Sequence, residues 1–380
     1  MNAQLTATDR SHLSRALELA ERGRGRVSPN PLVGAVAVRD DEVVGEGFHA
    51  ELGGLHAERA ALEDCRSRGG DPGEATMYVT LEPCAHTGRQ PPCTEAILGA
   101  GISRVVIASD DPSERAAGRG PGILRDGGIE VEFAAGEEAS AARLLNQPFR
   151  KHARTGLPLV TLKLAMSLDG RTSTQPGDSP WISGERSREL VHRWRAESDA
   201  IAVGIGTVLA DDPLLTARAP EARQPIRVVF DRQGRLPLGS KLLSTLDQSP
   251  LLVVVAPEAD ASHLREAGAE ILVADGILAA LADLGRRDIT SLFLEGGPAL
   301  ASAFQAAGQL DETRTFVAPV LLGMGQDASR AGGADAGTDA KRPPSGPPAV
   351  ATGTARLTPL SHTVNPIGDD TLITARFKEW

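Results

Sequence analysis

The stretch that most constrains this chain is Leu55-His-Ala-Glu58, read together with Leu81-Glu-Pro-Cys84 and Pro91-Pro-Cys93. His56, Cys84 and Cys93 offer three good zinc ligands, one short of the four that a closed structural site needs. Three protein ligands and an open position make a catalytic zinc, whose water falls to a pKa of about 7. Glu58 follows His56 by two residues. Positions i and i+2 of a helix do not share a face, so Glu58 is expected beside that water as a proton shuttle, not as a ligand. A histidine-x-glutamate followed by proline-cysteine and a second cysteine is the pattern of zinc deaminases. The chain departs from it in one respect, because Cys84 and Cys93 enclose eight residues instead of two. Taken singly, each cysteine reads as a small buried hydrophobe and the histidine as a satisfied one. The full set points to metal.

Local patterns place these residues. Met77-Tyr-Val-Thr-Leu81 reads as a strand with Cys84 just past its end, His56 opens a helical segment from Ala57 to Arg66, and Cys93 precedes helical Thr94-Glu-Ala-Ile-Leu98. A helix start carries partial positive charge and favours the thiolate that zinc needs. Upstream, Thr8 or Asp9 caps a helix from His12 to Arg22. The turn Val27-Ser-Pro-Asn-Pro-Leu-Val-Gly34 leads into strand Ala35–Val38, with Val43-Val44 as hairpin partner and Gly45-Glu-Gly-Phe-His49 as a lead toward His56. Asn30 serves either the turn, the preferred reading, or a substrate edge. Arg104–Ser109 is a strand, Gly118-Arg-Gly-Pro-Gly122 a loop, and Ile129–Phe133 a further strand. The cluster Arg150-Lys-His-Ala-Arg-Thr155 reads as a solvated linker or helix end and marks a boundary, giving domains 1–150 and 151–380.

The second half alternates strands and helices around another sheet. Strands are expected at Leu159–Ala165, Ala200–Val203, Ile226–Phe230, Leu251–Val255, Ile271–Val273, Leu292–Leu294, Thr315–Leu322 and Thr371–Phe377, with Ser183 capping a helix through Trp194. Val203-Gly-Ile-Gly206 lacks the third glycine of a dinucleotide fingerprint and reads as a turn. Glu295-Gly-Gly-Pro298 precedes helical Ala299–Ala307 and is either a phosphate seat or an ordinary loop. The stretch 332–348 is rich in Gly, Ala, Asp and Pro and reads as a mobile loop.

Composition narrows the partners. A net charge of −10 opposes a nucleic-acid partner, and with Tyr78 the lone tyrosine, stacking platforms for bases are not expected. Three cysteines, two of them assigned to metal, leave no disulfide framework, and Cys65 reads as core. The polar first ten residues and the lack of a long apolar run predict neither signal peptide nor membrane span, hence a cytoplasmic protein.

With these pieces assembled, the chain closely resembles the bifunctional pyrimidine deaminase/reductase family of bacterial riboflavin biosynthesis. The resemblance spans nearly the whole sequence. It rests on Pro29-Asn-Pro-Leu-Val-Gly34, His56-Ala-Glu58, and Thr80-Leu-Glu-Pro-Cys-Ala-His-Thr-Gly-Arg-Gln-Pro-Pro-Cys93, whose cysteine spacing looks like this family's own. In the second half it rests on Lys163-Leu-Ala-Met-Ser-Leu-Asp-Gly-Arg171, Gly206-Thr-Val-Leu-Ala-Asp-Asp-Pro213 and Glu295-Gly-Gly-Pro298. It implies an α/β protein with a cytidine-deaminase-like α/β/α N-terminal domain and a dihydrofolate-reductase-like C-terminal domain. The first would use Zn2+ to deaminate a diamino-ribosylamino-pyrimidinone 5′-phosphate, and the second would use NADPH to reduce its ribosyl group to ribityl. By the same resemblance Asn30, His49, His86, Arg89 and Asp111 hold the deaminase substrate, with Arg89 a candidate for its phosphate. Ala165, Trp181, Thr207, Asp211 and Gly297 contact NADPH. Ser179, Arg195, Leu215, Arg218 and Glu295 face the reductase substrate, with no side chain marked as general acid. A homodimer through the reductase domain is also implied.

Two departures stand out. Asp111-Pro-Ser-Glu114 replaces the family's usual Asp-Pro-Asn-Pro, and serine supplies only part of an asparagine's hydrogen bonding. Gln147 replaces a commonly basic residue, with little expected effect. The rival readings are a nucleoside- or tRNA-type zinc deaminase fused to a reductase, which charge and spacing oppose, and a degenerate regulatory module. The second would require a lost ligand or a lost Glu58, and neither is lost.

Overall fold

The computed structural model of the protein describes residues 5–88, 90–114, 116–172, 181–218, 223–323 and 356–380. Arg89, Ser179 and the stretch 332–348 lie outside the described residues. The chain divides into two compact units, Met1–Leu159 with Leu281–Ser291 and Glu379–Trp380, and Val160–Ala280 with Leu292–Lys378.

The first unit runs α1 (Ala7–Glu21), β1 (Gly34–Arg39), β2 (Glu42–Phe48), α2 (Ala57–Ser67), β3 (Thr76–Val79), α3 (Cys93–Gly99), β4 (Arg104–Ile107), α4 (Arg119–Asp126), β5 (Glu130–Phe133), α5 (Glu137–Leu145) and α6 (Gln147–Thr155). Its sheet has the order β2-β1-β3-β4-β5, antiparallel from β2 to β3 and parallel from β3 to β5. Successive side chains leave a strand on opposite faces, and here both sets are apolar, so both faces must be covered. Ala35, Met77, Val79, Val105 and Ile107 pack with α2, α3 and α4 through Ala57, Ala61, Leu62, Ile97 and Leu124. Val36, Val38, Tyr78 and Val106 pack with Leu13, Ala16 and Leu19 of α1 and Ala142 of α5. The expected α/β/α layering results.

Four local expectations are corrected in this unit. α1 starts earlier, capped by Thr6 and not by Thr8 or Asp9. Asp9 closes a capping box and also accepts from Tyr78 and Arg104, tying the helix to the sheet. The segment after Val44 is not a lead but the rest of β2. A Cβ on Gly45 would lie 2.3 Å from Ala61 O, and one on Gly47 2.4 Å from Ala57 O, so the glycines let α2 lie directly on the strand. Much of the predicted loop 118–122 is the start of α4, because Gly120 is there for closeness and not for freedom, its Cβ position lying 2.0 Å from Pro83 O. The basic cluster at 150–155 is the helix end of its two readings, closing α6, but its start is not solvated, since Arg150 and Lys151 are each 1% exposed.

The second unit runs β6 (Leu159–Ser167), α7 (Glu185–Glu197), β7 (Ala200–Gly204), α8 (Ile205–Asp211), β8 (Ile226–Phe230), α9 (Lys241–Ser244), β9 (Leu251–Val255), α10 (Ser262–Glu266), β10 (Glu270–Val273), α11 (Ile277–Arg286), β11 (Ser291–Leu294), α12 (Pro298–Ala306), β12 (Glu312–Ala318), β13 (Ser361–Ile367) and β14 (Asp370–Arg376). Residues 281–286 of α11 belong to the first unit. Among the described residues the sheet order is β10-β9-β8-β7-β11-β6-β12-β14-β13. The chain steps outward from β7 to β10, then returns with β11 between β7 and β6. The carboxyl ends of β6, β7 and β11 thereby lie side by side, the place where ligands bind in open α/β sheets.

Here too the pattern is adjusted. α7 starts after Gly184, not Ser183, because Asp370 caps it from β14, accepting from Gly184 N at 2.8 Å and Ser187 Oγ at 2.5 Å. β12 begins three residues before the predicted Thr315 and ends at Ala318. β13 was not expected, because its residues are almost all exposed and carry no apolar alternation.

Candidate active site

In the first unit the metal-type residues come from three separate elements. His56 is the N-cap of α2, Cys84 lies in the connection after β3, and Cys93 is the first residue of α3. Cys84 Sγ is 3.5 Å and Cys93 Sγ 3.3 Å from His56 Nδ1, and all three ligand atoms lie within 4.8 Å of one another. The Cys93 N–H donates to Cys84 Sγ at 3.3 Å. Cys93 is fully buried and Cys84 half-buried. The two sulfurs cannot both ionise comfortably here: the hydrogen bond from Cys93 holds the Cys84 thiol well below its ordinary range, while that bond and burial drive Cys93 upward. A dication relieves this conflict, since two thiolates and a neutral imidazole balance its charge. The donor set therefore fits zinc.

Glu58 sits in the first turn of α2 and is 4% exposed. Burial, then the neighbouring Cys84, pushes its carboxyl up to about 7, against the opposing pull of His56 and Cys93. His49 follows β2 and is 3% exposed, its ring 5.4 Å from that of His56. Its Nδ1 meets Leu55 O at 2.9 Å, and a carbonyl can only accept, so Nδ1 carries the proton. Nε2 is then free to accept from Asn30 Nδ2 at 3.1 Å. Burial holds His49 below its usual range and keeps it neutral. Asn30 also closes the turn through its N–H to Val27 O, so its main chain serves the turn while its amide faces His49. Asp111 has its carboxyl raised by burial, opposed by the Ser113 bonds and by His86 and Arg150 nearby. Ser113 N donates to Asp111 Oδ1 at 2.8 Å, so the serine of the altered loop orders Asp111 through its main chain. His86 itself is exposed.

Sequence reasoning overlooked Glu82. Burial raises its carboxyl, the main-chain N–H groups of Gly118, Asp111 and Gly120 nearby oppose this, and its own N–H donates to Ser109 O at 3.0 Å. The signal available was a glutamate directly before Pro83-Cys84, in a stretch otherwise apolar.

In the second unit Glu295 follows β11 and receives a two-pronged bond from Arg195 of α7, at 2.6 and 3.0 Å, while Arg195 Nη1 donates to Thr216 O at 3.2 Å. This is no surface pair, with side chains 14% and 11% exposed. Burial alone would raise Glu295, but Arg195, then Lys163 and His192, outweigh it and hold the carboxylate ionised. Lys163 of the Lys163–Arg171 motif is a further charged neighbour of this pair. It is largely buried on β6, and burial lowers its ammonium against the pull of Glu295. Arg218 is exposed and close enough to depress His192. Leu215 belongs to the core at 2% exposure, and its φ of +56° is a left-handed conformation that a leucine adopts at a cost.

Of the residues assigned to a nucleotide, Thr207 and Gly297 lie just past the carboxyl ends of β7 and β11. Gly297 is the N-cap of α12 with Pro298 at its first position. A Cβ on Gly297 would meet nothing nearer than Thr207 Oγ1, in ordinary contact at 3.9 Å, so the Gly297 main chain lies beside the Thr207 hydroxyl of α8. Bare main chain at a helix start beside a hydroxyl suits a phosphate, and the residues fit a dinucleotide. Ala165 lies half-buried on β6 and Asp211 exposed at the end of α8. Trp181 is 58% exposed, with the Arg188 guanidinium 5.3 Å above its ring.

A metal triad with a buried glutamate in an α/β/α layer, followed by a largely parallel sheet that can seat a nucleotide, defines a zinc deaminase joined to a reductase. Comparison with known proteins agrees for both halves. Residues 6–109 match the family model of the cytidine and deoxycytidylate deaminase zinc-binding region, and residues 158–341 match that of the RibD C-terminal domain. The riboflavin biosynthesis protein RibD of Aquifex aeolicus is 41% identical over 325 residues, covering 83% of this chain and 88% of that protein. The Escherichia coli RibD is 41% identical over 333 residues, covering 83% and 89%. Among solved structures, Acinetobacter baumannii RibD superposes with a TM-score of 0.80 at 38% identity over 98% of this chain and 99% of that one. The Thermotoga maritima deaminase/reductase superposes with a TM-score of 0.79 at 35% identity, with the same coverage.

The chain belongs to the RibD family of bifunctional deaminase/reductases of riboflavin biosynthesis. It is an enzyme with a zinc-binding deaminase domain and an NADPH-dependent reductase domain. Among the described residues no helix is long and apolar enough to cross a membrane.

Proposed function

We propose that residues 1–150 hydrolytically deaminate 2,5-diamino-6-ribosylamino-4(3H)-pyrimidinone 5′-phosphate, and that residues 151–380 then reduce the ribosyl side chain to ribityl with NADPH. The product is 5-amino-6-(5-phospho-ribitylamino)uracil. The observation that carries the first step is Glu58, buried in the first turn of α2 just after His56, whose ring lies with Cys84 and Cys93 in one cluster of ligand atoms.

His56, Cys84 and Cys93 hold zinc, which when bound supplies a Lewis acid that makes water a nucleophile at neutral pH. Glu58 takes the proton of the attacking water and delivers it to the ring nitrogen, then takes the proton of the hydroxyl so added and passes it to the amine, which leaves as ammonia as the ring carbonyl forms. Asn30, oriented by His49, reads the pyrimidine edge together with Asp111 and His86. Arg89 takes the phosphate.

Ala165, Trp181, Thr207, Asp211 and Gly297 bind NADPH, which when bound supplies the hydride. Arg195 and Arg218 attract the substrate phosphate, and Glu295, Ser179 and the main chain of Leu215 orient the sugar and ring. Glu295 also fixes the Arg195 fork, so this half works chiefly by alignment. The partner is a small phosphorylated pyrimidine, not a nucleic acid, in the cytoplasm. A homodimer through the reductase domain is supported by β13, the last strand of the sheet among the described residues, with Val364 on it 58% and Leu360 just before it 65% exposed, since monomers rarely leave such an edge bare.

The test is zinc-loaded protein with the diaminopyrimidinone phosphate, following ammonia release and NADPH oxidation together. Ammonia without NADPH, and NADPH oxidation once NADPH is added, is the expected result. Absence of both signals from protein with zinc bound would overturn the substrate.

A further inference from the structure

Arg150 is a buried guanidinium on α6, 1% exposed, and a buried guanidinium needs each of its N–H groups partnered. Its Nε donates to the main-chain oxygen of Trp380 at 2.6 Å, and its Nη1 donates to Asp110 O at 2.8 Å. Nη2 is shared between the two Asp110 carboxylate oxygens at 3.3 Å each. That carboxylate is 52% exposed, so the bond to the main-chain carbonyl is the firm one. The anchor is itself tied down. Gln147, one turn earlier on α6, accepts from Trp380 N at 2.8 Å and donates to Trp380 O at 3.1 Å, and the Lys151 ammonium lies 5.4 Å from the Trp380 ring centre.

Asp110 links β4 to the loop that carries Asp111. Two consecutive residues of this link are held from two directions. Ser109 O accepts from Glu82 N, and Asp110 O accepts from Arg150. Asp111 then binds Ser113 N and completes the turn. Glu82 holds the link from the metal side and Arg150 from the α6 side, and between them they set the direction of the Asp111 side chain.

We propose that Arg150, anchored on the main chain of Trp380 by Gln147, is a positioning residue of the deaminase that holds Asp110–Asp111 in the conformation that receives the pyrimidine substrate. The proposal rests on the reading of Asp111 as a substrate contact. It also gives Gln147 a task, where the sequence alone suggested none.

The test uses full-length, zinc-loaded protein and compares KM with kcat for ammonia release. Arg150→Met fills the space without the donors and is expected to raise KM about tenfold to a hundredfold, in line with the cost of a misplaced contact. Its kcat, zinc content and reductase turnover on pre-deaminated substrate are expected to stay near wild type. Arg150→Lys, with one donor group restored, should recover part of the lost KM. An unchanged KM in zinc-loaded Arg150→Met would overturn the proposal. So would a parallel fall of zinc content, deamination and reduction, which marks a purely structural residue. If Arg150→Met does not fold, Gln147→Leu releases the anchor with Arg150 in place and should raise KM about threefold; an unchanged KM there overturns the proposal equally. Asp111→Ala separates the two layers. If it leaves KM unchanged, the reading of Asp111 itself fails; if it raises KM and Arg150→Met does not, only the positioning role fails.

Discussion

Glu58 and Glu295 each sit at the centre of one half of the enzyme, both largely out of water, and their surroundings drive them in opposite directions. Glu58 faces sulfur and imidazole and has no cation paired to it by a hydrogen bond, so burial dominates and pushes it up to about 7. Glu295 feels the same burial but lies in the fork of Arg195 with Lys163 close by, and it is held below the usual carboxylate range. The difference teaches that burial alone does not fix the state of a carboxyl; the nearest charge does. One site keeps a carboxyl able to exchange protons near neutrality, and the other keeps a fixed negative charge that organises its neighbours.

The comparison is broken most directly by removing each charge. Glu58→Gln is expected to lower ammonia release by about 10²- to 10⁴-fold, the range for a lost general acid–base, with zinc retained and reduction of pre-deaminated substrate unchanged. Glu295→Gln leaves Arg195 and Lys163 buried without their partner, and urea unfolding should show a loss of about 3–5 kcal/mol together with loss of NADPH oxidation. A loss under about 1 kcal/mol would mean that the pair behaves like a surface bridge.

pH sharpens the contrast. In zinc-free protein, folded Glu58 keeps its proton up to about 7 while the unfolded carboxyl ionises near 4.5. The folded state binds the extra proton in that window, so the contribution of Glu58 to stability falls as pH rises through it and is level above. Glu295 has the opposite sign: its contribution is present above the ordinary carboxylate pKa and is lost as pH falls below it. The stability difference between wild type and Glu58→Gln should therefore change by roughly 2–3 kcal/mol between about pH 4.5 and 7. A flat difference would remove burial as the cause. The smallest effect concerns only the frame. Gly47→Ala puts a methyl 2.3 Å from Ala61 N, and overpacking of this kind costs about 1–3 kcal/mol. It should weaken zinc binding by shifting α2, with NADPH oxidation unaffected; equal zinc affinity would show that α2 is not held by this contact.

Much of this architecture was legible in the residues. The inner strands of both sheets are short apolar runs, and such runs announce themselves: Ile226–Phe230 and Leu251–Val255 fall where they were expected. His56, Cys84 and Cys93 were readable as a set because those residue types together have few other uses. What was not legible depended on partners distant in sequence. Gly45, Gly47 and Gly120 look like loop glycines until the main chain packed against each is known. Arg150 looks like a solvated charge until Asp110 and Trp380 close around it. The caps at Thr6 and Gly184 turn on side chains from Asp9 and Asp370, the second from the far end of the chain. β13 has no apolar signal because it is an exposed edge. Arg89 and Ser179 lie outside the described residues, so the phosphate contact of the first and the reductase-substrate contact of the second rest on the resemblance.

The central claim is the opposed ionisation of the two glutamates. It is tested most directly by carbon-13 NMR titration of glutamate-labelled, zinc-free protein, with Glu58→Gln and Glu295→Gln as assignment controls. The account predicts one carboxyl signal, absent in Glu58→Gln, that titrates near 7, and another, absent in Glu295→Gln, that stays ionised down to the acid limit of the folded state. Glu58 titrating in the ordinary carboxylate range, or Glu295 protonated near neutral pH, would contradict it.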